Sequence, residues 1–153
     1  MNGLIIYDSV YGNTEQVAQA IGNALNSQMD VELVRVSDVN PDKLAEVKFL
    51  IIGSPTHAGS PTESMRDFLN NISDSAIKDI NVATFDTRLS TRLVKIFGYA
   101  AGKIAKSLKK KGGILIASPE PFFVKGRKGP LKEGELERAA HWGKDISQIL
   151  TTL

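Results

Sequence analysis

The chain has 153 residues, of which 42% are hydrophobic and 24% charged. This fits one domain over residues 1–153, able to bury about two-thirds of its unfolded surface without a disulfide or metal. Cysteine is absent and the net charge is only +2, which excludes a disulfide scaffold, thiolate-held zinc, a cysteine-ligated iron–sulfur cluster and a cysteine nucleophile.

Short apolar runs alternate with amphipathic stretches. Leu4-Ile5-Ile6-Tyr7 is apolar throughout, the pattern of a strand buried on both faces. Val17, Ala20, Ile21, Ala24 and Leu25 share one helical face. Val31 to Val36 makes a second strand, and its Glu32 and Arg35 suggest a sheet edge. Phe49-Leu50-Ile51-Ile52 is a third strand, ended by Gly53. Ser60-Pro61-Thr62-Glu63 reads as a capping box with proline at the first helical position. Behind it, Met65, Phe68, Leu69 and Ile72 form a buried stripe. Ile80 to Phe85 is a fourth strand. Phe97, Ala100, Ala101, Ile104 and Leu108 define a helix that ends at Lys109-Lys110-Lys111 and Gly112-Gly113. Ile114 to Ala117 is a fifth strand, followed by a long loop from Ser118 to Lys132. Leu136, Ala139, Ala140, Gly143, Ile146 and Leu150 line the last helix.

Five strands alternating with helices predict an α/β fold: a three-layer, doubly wound, five-stranded parallel sheet with right-handed crossovers. Ligands bind such sheets at the carboxyl ends of the strands, where the winding reverses. No basic stretch precedes an apolar run at the start, and no run approaches the ~20 residues of a membrane helix. No membrane span and a cytoplasmic setting are therefore expected. His57 and His141 offer no metal-binding spacing. The first 84 residues hold five Lys+Arg against eleven Asp+Glu, whereas the remainder holds fourteen against six. The basic residues are not interleaved with aromatics, so nucleic acid is not an expected partner.

Three loops carry the chemistry. Asp8-Ser9-Val10-Tyr11-Gly12-Asn13-Thr14 runs from the first strand straight into a helix. Ser9, Asn13 and Thr14 supply neutral donors, Gly12 lets backbone N–H groups converge, and the helix end adds partial positive charge. The loop contains no lysine or arginine, so by itself it would hold a phosphate without a cation; a plain strand-to-helix turn capped by Asn13 is the alternative. Gly53-Ser54-Pro55-Thr56-His57-Ala58-Gly59 is long and proline-stiffened, with Thr56 to Ala58 as a rim suited to a planar ligand. Phe85-Asp86-Thr87-Arg88 follows the fourth strand. Competing signatures are missing: Gly-x-Gly-x-x-Gly, Gly-x-x-x-x-Gly-Lys-Ser/Thr, Gly-x-Ser-x-Gly and the clustered acids of a phosphoacceptor domain.

Together these loops resemble the flavodoxin family. Ser9-Val10-Tyr11-Gly12-Asn13-Thr14 matches its Ser/Thr-x-x-Gly-x-Thr phosphate loop. Ser54, Pro55, Thr56, His57, Ala58 and Gly59 look like the second flavin-contacting loop, and Phe85, Asp86, Thr87 and Arg88 occupy the place of the third. The resemblance implies strand order 2-1-3-4-5, bound FMN, and electron transfer to a redox partner protein, here an acidic one given the basic second half. The alternative is an FMN-dependent NAD(P)H or quinone-type reductase acting on a small acceptor, with a homodimer interface built from Phe122, Phe123 and Trp142. A domain that has lost FMN ranks third, since Ser9, Gly12 and Thr14 are in place. Unlike typical members, the chain is basic and has no Trp or Tyr in the second or third loop. His57 is the expected ring neighbour on one side, and Phe85, Tyr99, Phe122 or Phe123 on the other. Arg88, Arg92 and Lys95 are expected beside the ring.

Overall fold

The computed structural model describes residues 2–90 and 98–153. Strands β1 (Asn2–Tyr7), β2 (Asp30–Arg35), β3 (Phe49–Pro55), β4 (Asn81–Leu89), β5 (Ile114–Leu115) and β6 (Glu120–Val124) form one parallel sheet. The order is β2-β1-β3-β4-β5, with β6 also paired to β4. The helices are α1 (Asn13–Asn26), α2 (Glu63–Asn71), the single turn α3 (Asp74–Ile77), α4 (Ala100–Lys110) and α5 (Glu135–Thr152). Phe97, Arg92 and Lys95 lie outside the described residues.

The continuous apolar strands divide their side chains between two cores. Ile5, Tyr7, Phe49, Ile51, Ala83 and Phe85 face α1 and α5. Leu4, Ile6, Leu50, Ile52 and Val82 face the layer of α2, α3 and α4. Successive residues point to opposite faces, so a strand covered on both sides is apolar at most positions, and a polar residue there, such as Thr84, is buried with a hydrogen-bond partner. β2 is an edge strand, paired among the described residues to β1 alone.

Several boundaries differ from the sequence expectation, with β3 running on to Pro55 and β4 to Leu89. The fifth strand is split. Its first segment pairs Ile114 and Leu115 with Asn81 and Val82, and its second pairs Glu120–Val124 with Phe85–Leu89. Pro119, between the two segments, has no N–H to donate, which fits the break in the ladder. The stretch assigned to a long loop is therefore partly strand. The α2 helix begins two residues later than the capping-box reading: Thr62 is the N-cap, its Oγ1 accepting from the Met65 N–H at 3.3 Å. Ser60 is held instead in a turn with His57, by reciprocal backbone bonds of 2.8 and 3.0 Å.

Phe85, Phe122 and Trp142 meet edge-on, with ring centroids 6.1–6.2 Å apart. All three are buried, which withdraws Phe85 and Phe122 as ring neighbours and removes Phe122 and Trp142 from any subunit interface. Phe85 fits because Gly53, its register partner on β3, has no side chain; a Cβ there would lie 2.1 Å from the Phe85 ring. Gly53→Ala is expected to destabilise the protein by about 1–3 kcal/mol through overpacking. Urea denaturation checks this, and a Gly53→Ala/Phe85→Leu double variant should recover part of the loss.

Candidate functional site

A cavity of about 540 Å³ opens at the carboxyl end of the sheet, within the ~300–1,000 Å³ typical of small-ligand sites. Its first wall is the β1–α1 loop. Ser9 closes this loop on itself: its Oγ accepts from Gly12 N–H at 3.1 Å and Glu15 N–H at 3.3 Å. Gly12, with φ +91°, is the N-cap of α1 and has no side chain to block the approach to the helix head. The N-cap residue itself makes no side-chain cap bond. The first N–H groups of α1, on Asn13 and Thr14, have no acceptor among the described residues. Thr14 is buried, and its hydroxyl pairs with that of Thr87 at 2.7 Å, joining the head of α1 to β4.

The second wall is the 55–59 segment. Thr56 N–H donates to Thr87 carbonyl at 2.9 Å, and the Thr56 hydroxyl accepts from Ala100 N–H at 3.0 Å. His57 and Ala58 protrude as a rim, and Ala58 takes a left-handed φ of +49°. Burial in this turn, and then the Arg127 guanidinium, hold the His57 imidazole below its ordinary value; Asp8 opposes them. Ser54 lies behind the wall, fully buried, donating to Pro55 carbonyl and accepting from Thr62 N–H.

The expected third loop is the end of a strand. Residues 85–88 belong to β4, so their side chains alternate across the sheet instead of fanning into one site. Thr87, Arg88 and Leu89 line the cavity; Phe85 and Asp86 do not. Asp86 is fully buried and accepts from Arg88 Nε at 2.8 Å, Arg88 Nη2 at 2.7 Å and Ala101 N–H at 2.9 Å. The guanidinium also lies 3.4 Å from the Tyr99 ring centroid. Arg88 is therefore a charge already answered, and Tyr99 a ring already covered. Phe123 is likewise away from the cavity, beside Lys132 and Arg138. Among the described residues, Tyr11 and His57 are the aromatic-type side chains lining it.

Val124 and Arg127 complete the lining from a direction the sequence reading missed. The signal lay in the register, since β6 pairs Val124 with Leu89 on β4. None of the described lining residues is acidic. Unpartnered helix N–H groups, hydroxyls, a cation and apolar walls from Val10, Tyr11, Pro55 and Ala58 suit an anion joined to a flat apolar body.

A flavodoxin family model matches residues 5–142. The chain belongs to the flavodoxin family. Members of this family bind FMN and transfer electrons. A flavodoxin from Maridesulfovibrio salexigens is 30% identical, with 94% of this chain and 95% of the relative covered. One from Clostridium beijerinckii is 28% identical over 95% of this chain and 99% of its own. The structure of a flavodoxin from the domain Archaea superposes with a TM-score of 0.83 at 24% identity, covering 99% of each chain. The cavity fits an FMN in size and in its phosphate-type donors. No helix among the described residues is long and apolar enough to cross a membrane, and no group of potential metal ligands occurs among them.

Two outcomes test this geometry. Arg88→Ala leaves the buried Asp86 carboxylate without its cation, and stability should fall by about 3–5 kcal/mol in urea denaturation. Acidification to protonate His57 would put a second positive charge near Arg127. Arg127→Gln should therefore raise the His57 titration midpoint followed by NMR.

Proposed function

We propose that this chain is an electron carrier that holds one FMN in the 540 Å³ cavity, with residues 1–153 acting as one cytoplasmic domain. The observation that carries this reading is the cavity's lining: unpartnered N–H groups at the head of α1 and no carboxylate among the described lining residues. FMN supplies the electron chemistry when bound, so no acid, base or nucleophile is required of the protein. The chain's own residues bind and orient. The Ser9–Thr14 loop receives the phosphate, Thr87 and Thr14 form the floor, and Pro55 to Gly59 with Tyr11 flank the ring. Burial and the Arg127 guanidinium, which hold the His57 imidazole below its ordinary value, disfavour a positive charge there.

An acidic redox protein is the proposed partner. Lys125, Arg127 and Lys128 are exposed on the turn after β6, beside the cavity mouth. Such a cluster steers an acidic surface toward the cofactor. The reductase reading draws on Val10 and Tyr11, which are 54% and 44% exposed at the cavity and offer apolar surface to a planar acceptor. Family membership and similarity to flavodoxins along nearly their whole length favour the carrier.

The test is reconstitution. The purified chain should bind one FMN per molecule, with quenched flavin fluorescence. The loaded protein should show no sustained NAD(P)H oxidation with a quinone, and its electron transfer to an acidic redox protein should slow as salt rises. Absence of FMN binding overturns the cofactor assignment, and steady NAD(P)H–quinone turnover overturns the carrier in favour of the reductase.

A further inference from the structure

We propose that Arg127 is a phosphate-binding residue, delivered from the far end of the chain to a loop that has no cation of its own. This rests on the reading of the cavity as an FMN site and adds a determinant of phosphate recognition within it.

Four observations carry it. Arg127 lines the cavity together with Ser9, Asn13 and Thr14. The turn that bears it is built and anchored: Lys125 N–H donates to Pro130 carbonyl at 2.8 Å and Gly129 N–H to Gly126 carbonyl at 2.9 Å. The turn is pinned to the head of α1, where Asn13 Nδ2 donates to Lys128 carbonyl at 3.2 Å. Gly129 packs so closely on Asn13 that a Cβ would lie 2.5 Å from its Oδ1. Finally, no carboxylate pairs with Arg127 among the described residues, whereas the other lining cation, Arg88, is bound to Asp86. Lys128, one residue on, lies 5.9 Å from the Tyr11 ring centroid on the same loop. A guanidinium held there meets an anion that helix N–H groups already attract. Its planar fork matches two phosphate oxygens at once.

The test compares FMN with riboflavin, which has the same ring and ribityl chain but no phosphate. Dissociation constants are measured by fluorescence with the full-length apoprotein. Arg127→Gln should weaken FMN binding about tenfold, at the lower end for a hydrogen bond to a charged group because the side chain is exposed. Riboflavin binding should change less than about twofold, and Arg127→Lys should recover part of the FMN loss. Lys125→Gln removes the same charge from the same turn but off the cavity lining, and should leave both constants unchanged. Equal weakening of FMN and riboflavin would overturn the proposal by placing Arg127 against the ring. An equal loss in Lys125→Gln would overturn it by showing a diffuse field. If Arg127→Gln keeps the wild-type ratio of FMN to riboflavin affinity, the proposal also fails while the FMN site stands. If wild type binds neither ligand, the FMN reading itself fails.

Discussion

The Asp86 carboxylate is fully enclosed, and two hydrogen bonds from Arg88 and one from Ala101 N–H answer its charge. Those three bonds tie the end of β4 to the head of α4, and through the guanidinium to Tyr99. Thr56 reaches the same corner by accepting from Ala100 N–H, one residue before. The second wall of the cavity therefore depends on the helix that Asp86 anchors. A buried ion pair of this kind adds little net stability over an apolar replacement of the same shape, because desolvating both charges offsets their attraction. Its consequence is positional. It fixes the backbone of three elements and withdraws one positive charge from the cavity.

The same pair sets the electrostatics of the site. The resemblance to flavodoxins puts Arg88 beside the ring, but its guanidinium is committed to a carboxylate two residues away. Arg127 is separated from the first loop by more than a hundred residues and is the lining cation without a carboxylate partner among the described residues. Both arginines line the cavity, and they differ in whether a carboxylate among the described residues answers the charge. What decided between them was the register of β4 with β6, which no local pattern encodes.

Element types and sheet order were legible because a doubly covered parallel sheet leaves a simple trace: apolar runs of four to six residues, separated by helices with one apolar face. The first two cavity loops were legible for a related reason. Each joins a central strand to a helix on the switch side of the sheet, and each carries small or turn-forming residues. The third segment, of which Thr87 and Arg88 line the cavity, is strand and not loop; an apolar run gives a strand's start better than its end. β4 continues through Asp86, Thr87 and Arg88, where polar side chains are satisfied by partners remote in sequence, such as Thr14 and Ala101. The fate of the aromatics was hidden likewise. Phe85 enters the core only because Gly53 lies opposite, and Phe122 joins it only because the last strand resumes beyond Pro119.

The charge asymmetry of the chain acquires a physical meaning in this arrangement. The acidic first half contributes the β1–α1 loop, whose own charges, Asp8 and Glu15, are turned toward Arg35 on the edge strand, at 3.5 and 2.8 Å. The loop thereby presents N–H groups to the cavity without a competing carboxylate. The basic second half folds over the mouth through the 125–130 turn, joined to the loop by the Asn13–Lys128 contact. A phosphate entering between them meets helix N–H groups from one half and a guanidinium from the other. Neither half is complete alone. The anion would then act as a bridge beside the Asn13–Lys128 hydrogen bond and the Lys128–Tyr11 contact, so binding should tighten the turn as well as fill the cavity. The short reach of exposed charges, about 8 Å at physiological salt, confines that benefit to residues on the turn itself. The lysines at the end of α4, at the opposite end of the sheet beside β5, contribute nothing to it.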